Sequence, residues 1–358
     1  MKRRTFLWRG GAAASGLTAL LARPLAAQIP PGRHPLWSVW TAWREAHLDF
    51  SGRVVDRPQD RASHSEGQGY GMLLAAAVGD EDAFRRMEEW TEANLAVRTD
   101  GLLAWRWMPD LPERVPDLNN ASDGDLFYAW ALLHGAERFG EARWRERATA
   151  VAVDLADRCV VARPDRPDQP ILLPAQFGFA SEGRLVVNPS YMMPRAMREV
   201  AAATGQIRLA QAAETGLALM REIAADRLVP DWIGVGADGL SPAQGFSAEA
   251  GYEAIRVPLF LAWSDERDHP ALRRAAGAMA QAGAGQAATV LDAETGAILE
   301  LSSEAGYRAV AALVGCVADG RRGASIPPFH PEQAYYPATL HLFSLLAQYR
   351  HLPTCVPI

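Results

Sequence analysis

The sequence predicts an all-α protein with one large domain, and three observations support this fold class. Of the 358 residues, 49% are hydrophobic and 22% are charged, which is the balance of a folded globular chain. Apolar residues recur at helical spacing along most of the sequence, whereas alternating strand patterns are almost absent, the best being Leu185-Val186-Val187. No low-complexity linker or block of charge marks a domain boundary.

These spacings predict eleven helices. Trp40, Trp43 and His47 lie on one face of the first, and Trp144 to Cys159 repeat the same pattern over a longer stretch. The helices are expected at about 36–47, 69–78, 81–96, 124–139, 144–159, 189–203, 206–227, 250–264, 270–283, 304–317 and 334–350. Loops rich in Pro, Gly, Asp and Asn separate them at 98–122, 161–188, 228–249 and 285–303, and long ordered loops often carry function.

The first 27 residues have the features of a signal peptide. A basic start, Arg3-Arg4-Thr5-Phe6-Leu7, precedes a short apolar stretch that ends in small residues. The paired arginines indicate the twin-arginine export route, and the apolar stretch is too short to span a membrane. We therefore predict cleavage near Ala27, no membrane insertion, and a periplasmic or secreted catalytic domain of residues 28–358.

Charge and composition exclude several kinds of chemistry. The formal charge of −6 becomes −11 when the five positive charges of the first 27 residues are removed, so nucleic acid is excluded as a partner. Lys2 is the only lysine, which excludes a Walker-A site and Schiff-base catalysis. The three widely spaced cysteines, Cys159, Cys316 and Cys355, allow at most one disulfide, and we expect buried thiols instead.

Three segments combine acids, glycines and aromatic residues. Glu66 lies among three closely spaced glycines, which let the backbone approach a ligand, although Glu66 could instead complement the dipole of the next helix. Asp123 and Asp125 open another helix, where one of them could be an ordinary N-terminal cap. Glu253 and Arg256 are three residues apart, and they form either a surface pair or an oriented carboxylate in a cleft.

Together with two other motifs, these segments carry a family resemblance. The motifs are His64-Ser65-Glu66-Gly67-Gln68-Gly69-Tyr70-Gly71-Met72, Ala121-Ser122-Asp123-Gly124-Asp125, Asn188-Pro189-Ser190-Tyr191, Pro230-Asp231-Trp232 and Tyr252-Glu253-Ala254-Ile255-Arg256-Val257. In order and spacing the sequence resembles glycoside hydrolase family 8, especially the periplasmic endoglucanases of bacterial cellulose synthesis operons. The resemblance implies an (α/α)6 barrel, a six-hairpin toroid whose long loops form an open cleft. It also implies inverting hydrolysis of β-1,4-glycans without metal or cofactor.

The resemblance also implies roles for three carboxylates. Glu66 matches the general acid, Asp123 the residue that binds the distorted sugar, and Glu253 the general base. At the base position the family pattern has aspartate, usually in Ser-Tyr-Asp-Ala, whereas this sequence has Gly251-Tyr252-Glu253-Ala254. The extra methylene advances the carboxylate by roughly 1.5 Å, a displacement that can cost about a hundredfold in rate unless the cleft is adjusted. Glu249 is the alternative base.

Aromatic and polar side chains are predicted to bind the sugar. Trp105 and Trp107 flank Arg106 in an irregular loop, which has no packing reason to alternate tryptophans, and indole faces stack on pyranose rings. The full set of predicted substrate-binding residues is Tyr70, Trp105, Trp107, Asp125, Tyr191, Trp232, Tyr252, Arg256, Tyr335 and Tyr336.

Three functions remain open from the sequence. The first is an inverting endo-β-1,4-glucanase that acts on β-1,4-glucan chains, alongside components of a cellulose synthase complex. The second is a hydrolase of the same family for another β-1,4-glycan, such as chitosan, xylan or mixed-linkage glucan. The third is a weakly active or inactive glycan-binding component of the cellulose export machinery, in which the change at Glu253 has removed catalysis.

Overall fold

The protein is described here by a computed structural model that covers residues 32–357. The predicted signal peptide, 1–27, lies outside the described residues. The described chain contains eleven α-helices, the number that the sequence predicts. They are α1 (Trp37–His47), α2 (Ser65–Val78), α3 (Glu81–Asn94), α4 (Ser122–Phe139), α5 (Ala142–Cys159), α6 (Pro194–Thr204), α7 (Ile207–Ile223), α8 (Arg256–Trp263), α9 (Pro270–Met279), α10 (Ala305–Asp319) and α11 (Tyr335–His351).

The helices form two concentric rings. Helices α2, α4, α8 and α11 bury most of their residues on all sides, so they belong to the inner ring, and α6 and α10 pack between them. Outer helices bury a single stripe: in α5 the buried positions include Trp144, Ala148, Val151 and Leu155, as the spacing predicts. This double ring is the predicted (α/α)6 barrel. The segment 320–334 is not helical, and it stands where a further outer helix would make twelve.

Two helices begin later than the sequence predicts, because a side chain holds the preceding backbone in a different turn. Before α6 the side chain of Asn188 accepts a hydrogen bond from the Ser190 amide, which creates a 3-10 turn at Pro189–Tyr191. Before α8, residues 252–255 form turns beside the carboxylate of Asp231 rather than a helix. Both exceptions lie beside the candidate site.

Little of the described chain is sheet, as the sequence predicts, and the best strand candidate, Leu185-Val186-Val187, lies in one of ten short strands. They are β1 (Ser63–His64), β2 (Arg106–Trp107), β3 (Val160–Ala162), β4 (Pro170–Leu172), β5 (Ala180–Ser181), β6 (Arg184–Val187), β7 (Ile233–Gly236), β8 (Gly239–Pro242), β9 (Ala287–Leu291) and β10 (Ile298–Ser302). Strands β5 to β8 form one antiparallel sheet, in which Leu185 pairs with Val235. Segments of two to five residues are too short to show a clear alternation.

The cysteine prediction is wrong for two of the three residues. Cys316 at the end of α10 is bridged to Cys355 beyond α11, with 6.0 Å between their Cα atoms, whereas Cys159 is a buried free thiol. The bridge joins two segments that are far apart in sequence but adjacent in the barrel. Within residues 32–357, no helix combines the length and apolar character that a membrane span requires.

Candidate active site

The glycines around Glu66 allow helices to approach each other. A Cβ on Gly69 would lie 2.8 Å from the Tyr128 amide of α4, and one on Gly124 would lie 2.1 Å from Ser65 Oγ. Both separations are shorter than atoms tolerate, so only glycine permits α2 and α4 to pack this closely. The glycines therefore bring the first turns of two inner helices together, rather than admitting a ligand as the sequence had suggested.

Arg256 lies at the centre of the site and is almost completely buried. Its Nη1 donates to Glu66 Oε2 at 2.5 Å and to Asp123 Oδ2 at 3.3 Å, and its Nη2 donates to Glu253 Oε2. A planar guanidinium presents several donors in a fixed fork, which allows one side chain to hold three acids. We refer to Glu66, Asp123 and Glu253 as the carboxylate cluster.

The carboxylate cluster contains more negative than positive charge. Burial, together with the neighbouring charges of Asp123 and Glu253, raises the pKa of Glu66 to about 8 against the lowering effect of Arg256. Burial likewise raises the pKa of Asp123 to about 6, in spite of Arg256 and a hydrogen bond from the Gly124 amide. At neutral pH Glu66 is therefore mostly protonated.

Glu253 reaches the cluster from the turn before α8. Its Oε2 accepts hydrogen bonds from Asn188 Nδ2 at 3.2 Å and from Ser190 Oγ at 3.4 Å, as well as from Arg256. The side chains of Glu66 and Glu253 remain 21% and 33% exposed, so both face solvent at this end of the barrel. The two carboxyl groups are thus held by the two terminal nitrogens of one guanidinium.

Two predicted substrate-binding residues are buried beneath the cluster instead. Tyr70 is completely buried, and its hydroxyl accepts a hydrogen bond from Arg256 Nη1 at 3.0 Å. Asp125 is also completely buried, and its two oxygens accept from the Leu103 amide at 2.8 Å and from Asn120 Nδ2 at 2.9 Å. Neither residue presents a free polar group to a sugar, so these two predictions are wrong for this structure. Both residues support the site from below.

Trp232 and Tyr191 lie in an aromatic group that reaches the surface. The ring of Trp232 stacks on Phe179 at 5.8 Å and lies 4.6 Å from Phe246, which is 39% exposed. Tyr191 joins this group at 6.2 Å from Trp232, and its ring lies under the Arg256 guanidinium at 5.5 Å. Aromatic faces therefore continue outward from the carboxylate cluster, as a carbohydrate site requires.

Trp105 and Trp107 lie on the other side of Glu66 and are half-buried. The Arg106 guanidinium covers the ring of Trp105 at 4.3 Å, and the indole nitrogen donates to Asp117 at 2.9 Å. Arg53 and Arg114 lie over the ring of Trp107 at 5.0 and 5.4 Å. The two tryptophans thus lie near Glu66, as expected of sugar-binding residues. Arginine side chains nevertheless cover part of the ring surface on which a sugar would stack.

The three predicted tyrosines have different environments. Tyr336 donates from its hydroxyl to the carbonyl of Tyr252 at 2.5 Å, and Tyr252 is 45% exposed, so both border the turn that carries Glu253. Tyr335 is 2% exposed and packs against Trp43 and His47. Tyr335 therefore belongs to the core, and its prediction as a sugar-stacking residue is wrong because its ring presents no free face.

Sequence reasoning did not select three polar residues that the structure places at the site. Asn188 and Ser190 contact Glu253, and Asp231 holds the turn before it. All three lie within the motifs that carry the family resemblance, but their residue types alone are typical of turns. Within the described residues, no group of three or more His, Cys, Asp or Glu side chains is arranged to hold a metal ion.

Comparisons with known proteins agree with this geometry. The model of the family "Glycosyl hydrolases family 8" matches residues 13–350. The "Probable endoglucanase" of Novacetimonas hansenii is 33% identical over 314 residues, which are 86% of this chain and 90% of that protein. Among solved structures, the endo-β-1,4-glucanase CMCax from Acetobacter xylinum superposes with a TM-score of 0.78 at 33% identity, covering 87% of this chain and 97% of that one. Endoglucanase Cel10 from Klebsiella pneumoniae gives 0.77 at 28% identity, with coverages of 87% and 99%.

Proposed function

Because the chain belongs to glycoside hydrolase family 8, we propose that it is an endo-β-1,4-glucanase that cleaves internal bonds of a glucan with inversion. The support comes from the relatives' activities, which their names give as endoglucanase, and from the site itself. An inverting hydrolase needs one carboxylic acid that is protonated and one carboxylate that activates water. The carboxylate cluster offers both.

The single observation that carries the proposal is the geometry of the carboxylate cluster, in which Glu66, Asp123 and Glu253 share the buried Arg256 guanidinium, and the raised pKa of Glu66 supports it. A carboxyl group with a pKa of about 8 holds its proton at neutral pH, so Glu66 can donate it to the leaving glycosidic oxygen. Glu253 is the acceptor for a proton of the attacking water, since it faces solvent and lies opposite Glu66 across Arg256. Asp123 shares Arg256 Nη1 with Glu66, and its proposed role is to accept hydrogen bonds from the sugar at the cleavage point.

The experiment is hydrolysis of carboxymethyl-cellulose by the purified domain, followed by reducing-end release and viscosity. Internal cleavage lowers viscosity early, before many reducing ends appear. Proton NMR of the products must show the α-anomer first, because attack from the opposite face inverts a β-linkage. First appearance of the β-anomer would indicate a retaining mechanism and would reject the assignment of Glu66 and Glu253.

A second candidate substrate is a cationic β-1,4-glycan such as chitosan. The observation that favours it is the charge of −11 beyond residue 27, which attracts a polycation. A panel of carboxymethyl-cellulose, chitosan, xylan and mixed-linkage glucan decides between the two by relative kcat/KM. Binding of cello-oligosaccharides without cleavage of any glycan would instead support a binding component of cellulose export.

We also propose that residues 1–27 direct the domain of residues 28–358 through the twin-arginine route to the periplasm or medium, where it accompanies cellulose synthesis. The paired Arg3 and Arg4 support this proposal. Replacing both arginines by lysine should retain the precursor inside the cell, and fractionation with an antibody measures it. Co-purification with cellulose synthase components tests the partnership.

A further inference from the structure

Asp231 holds the turn from which Glu253 projects. Its Oδ1 accepts hydrogen bonds from the Gly251 amide at 2.9 Å and from the Ala254 amide at 2.7 Å. Its own amide donates to the Glu249 carbonyl at 2.7 Å. One buried oxygen therefore joins both ends of a four-residue turn, and Glu253 lies inside that turn.

Gly251 provides the space for this contact. A Cβ at position 251 would lie 2.8 Å from Asp231 Oδ2, which is closer than such atoms approach. The φ angle of Gly251 is not in the left-handed region, so its conformation does not require glycine. A side chain at this position would instead displace the Asp231 carboxylate from its place beside the turn.

On the side of the turn away from Asp231, apolar side chains pack against it but do not fix its orientation. Ala250, Ala254 and Ile255 line an apolar cavity there, together with residues of α8, α9 and β9. Apolar contacts are not directional, whereas two hydrogen bonds to one carboxylate oxygen fix the orientation of a turn. The orientation of the turn therefore decides whether Oε2 of Glu253, which lies within it, reaches Asn188 and Ser190.

We propose that Asp231 is a positioning residue for the general base, which it fixes through the backbone of residues 251–254. This inference rests on the proposed function, because that function assigns Glu253 as the base. The hydrogen bonds of the Asp231 carboxylate go to the backbone of the turn, so its effect on Glu253 is on geometry and charge. Burial and, to a smaller extent, the charge of Glu253 raise the pKa of Asp231 to about 6 against the lowering effect of its hydrogen bonds from the Ala254 and Gly251 amides.

Three variants separate the contributions of the Asp231 hydrogen bonds, of its charge and of the space that Gly251 leaves. Asp231→Ala removes both hydrogen bonds and should lower kcat about a hundredfold with KM changed less than about threefold, since misplacement by about 1 Å costs this much. Asp231→Asn retains an acceptor oxygen, so it should keep most of kcat, while the acid limb of the pH–rate profile moves to lower pH because a negative neighbour is lost. Gly251→Ala should lower kcat by forcing Asp231 away from the turn.

Asp292 is the matched control. Its Oδ1 also accepts from two backbone amides, Glu294 at 3.1 Å and Thr295 at 2.7 Å, in a turn that does not contact the carboxylate cluster. Asp292→Ala should leave kcat and the pH–rate profile unchanged. If Asp231→Ala matches Asp292→Ala in kcat, or if Asp231→Asn leaves the acid limb in place, the inference is overturned.

A structural arm distinguishes failure of this inference from failure of the proposed function. A crystal structure of Asp231→Asn and of Gly251→Ala, without substrate, reports the position of Glu253 directly. In Gly251→Ala the Glu253 carboxylate should leave Asn188 and Ser190, whereas in Asp231→Asn it should remain. A turn that stays in place in Gly251→Ala contradicts the inference whatever the substrate, while a wild type that cleaves no glycan contradicts only the proposed function.

Discussion

The two ends of the barrel each contain a glutamate among charged side chains, but their pKa values move in opposite directions. At the active end, burial and two neighbouring acids raise the pKa of Glu66 to about 8. At the other end, burial alone would raise the pKa of Glu199, yet hydrogen bonds from His134, Trp130 and Arg195 lower it to about 2. The two sites share one fold and differ in their partners.

The difference follows from how many donors each acid has. Three carboxylates share Arg256 at the active end, whereas Glu199 alone accepts from Trp130 Nε1 at 2.6 Å and from Arg195 Nη1 at 3.1 Å. Two arginines at the far end also cap helices: Arg350 donates to the Ala77 carbonyl of α2, and Arg195 Nε to the Trp263 carbonyl of α8, both at 2.8 Å. Cations at helix C-termini are stabilising, and their role there is structural. Carboxyl groups that outnumber their hydrogen-bond donors therefore indicate a functional site, whereas a carboxylate with a full set of donors, such as Glu199, indicates a structural role.

The largest expected effect is on the acid itself. Glu66→Gln keeps the size of the side chain but removes the proton that it donates, so kcat on carboxymethyl-cellulose should fall by about 10²–10⁴-fold. Oligosaccharide affinity and the melting temperature should remain near those of wild type. Retention of more than a tenth of the wild-type rate would remove Glu66 from this role and weaken the contrast between the two ends.

A smaller loss is expected from shortening the base. In the structure the full length of Glu253 is used to reach Asn188 and Ser190. Glu253→Asp withdraws the carboxylate by roughly 1.5 Å, so kcat should fall by about a hundredfold while KM changes little. Steady-state kinetics on cello-oligosaccharides measure kcat and KM separately. An unchanged kcat would show that the turn at 251–254 adapts to either acid.

The sequence predicted the helices better than the site, and particular residues explain why. Apolar periodicity identified α5 through Trp144 and Ala148, because each helix buries its stripe locally. The burial of Tyr70 and Tyr335 could not be predicted, since a tyrosine suits both a core and a cleft, and only packing with distant helices decides between them. The role of Asp231 likewise depends on a turn twenty residues later in the chain.

The pH dependence of activity tests whether the excess of negative charge in the carboxylate cluster raises the pKa of Glu66. Since the pKa of Glu66 is about 8, the acid is protonated below that pH, and kcat should fall about tenfold per unit above it. Asp123→Asn removes one of the negative neighbours, so the basic limb should move to lower pH even though the overall rate also falls. A basic limb that is unchanged in this variant would mean that burial alone sets the pKa of Glu66.

The smallest effect is expected from a substitution at the far end of the barrel. Replacing Glu199 there should lower the stability of the fold and leave activity intact. The pKa of Glu199 in the folded protein, about 2, lies below the ordinary glutamate value of 4.5. The ionised form therefore stabilises the fold above pH 4.5, and this contribution is lost as the pH falls toward 2. Glu199→Gln should cost about 1 kcal/mol at pH 7, because a side chain that is 40% exposed is screened by solvent.

Melting curves from pH 7 to pH 2 provide the measurement. The difference in melting temperature between wild type and Glu199→Gln should be about 1–3 °C at pH 7 and should shrink toward pH 2, while kcat at its optimum stays within about twofold of wild type. Glu214→Gln is the matched control, since Glu214 pairs with Arg198 but is 62% exposed, and it should change neither quantity. A difference that grows on acidification would show that Glu199 is protonated in the folded state. A loss of kcat in Glu199→Gln would show that the far end is coupled to catalysis, and the separation of the two ends into a functional and a structural site would be wrong.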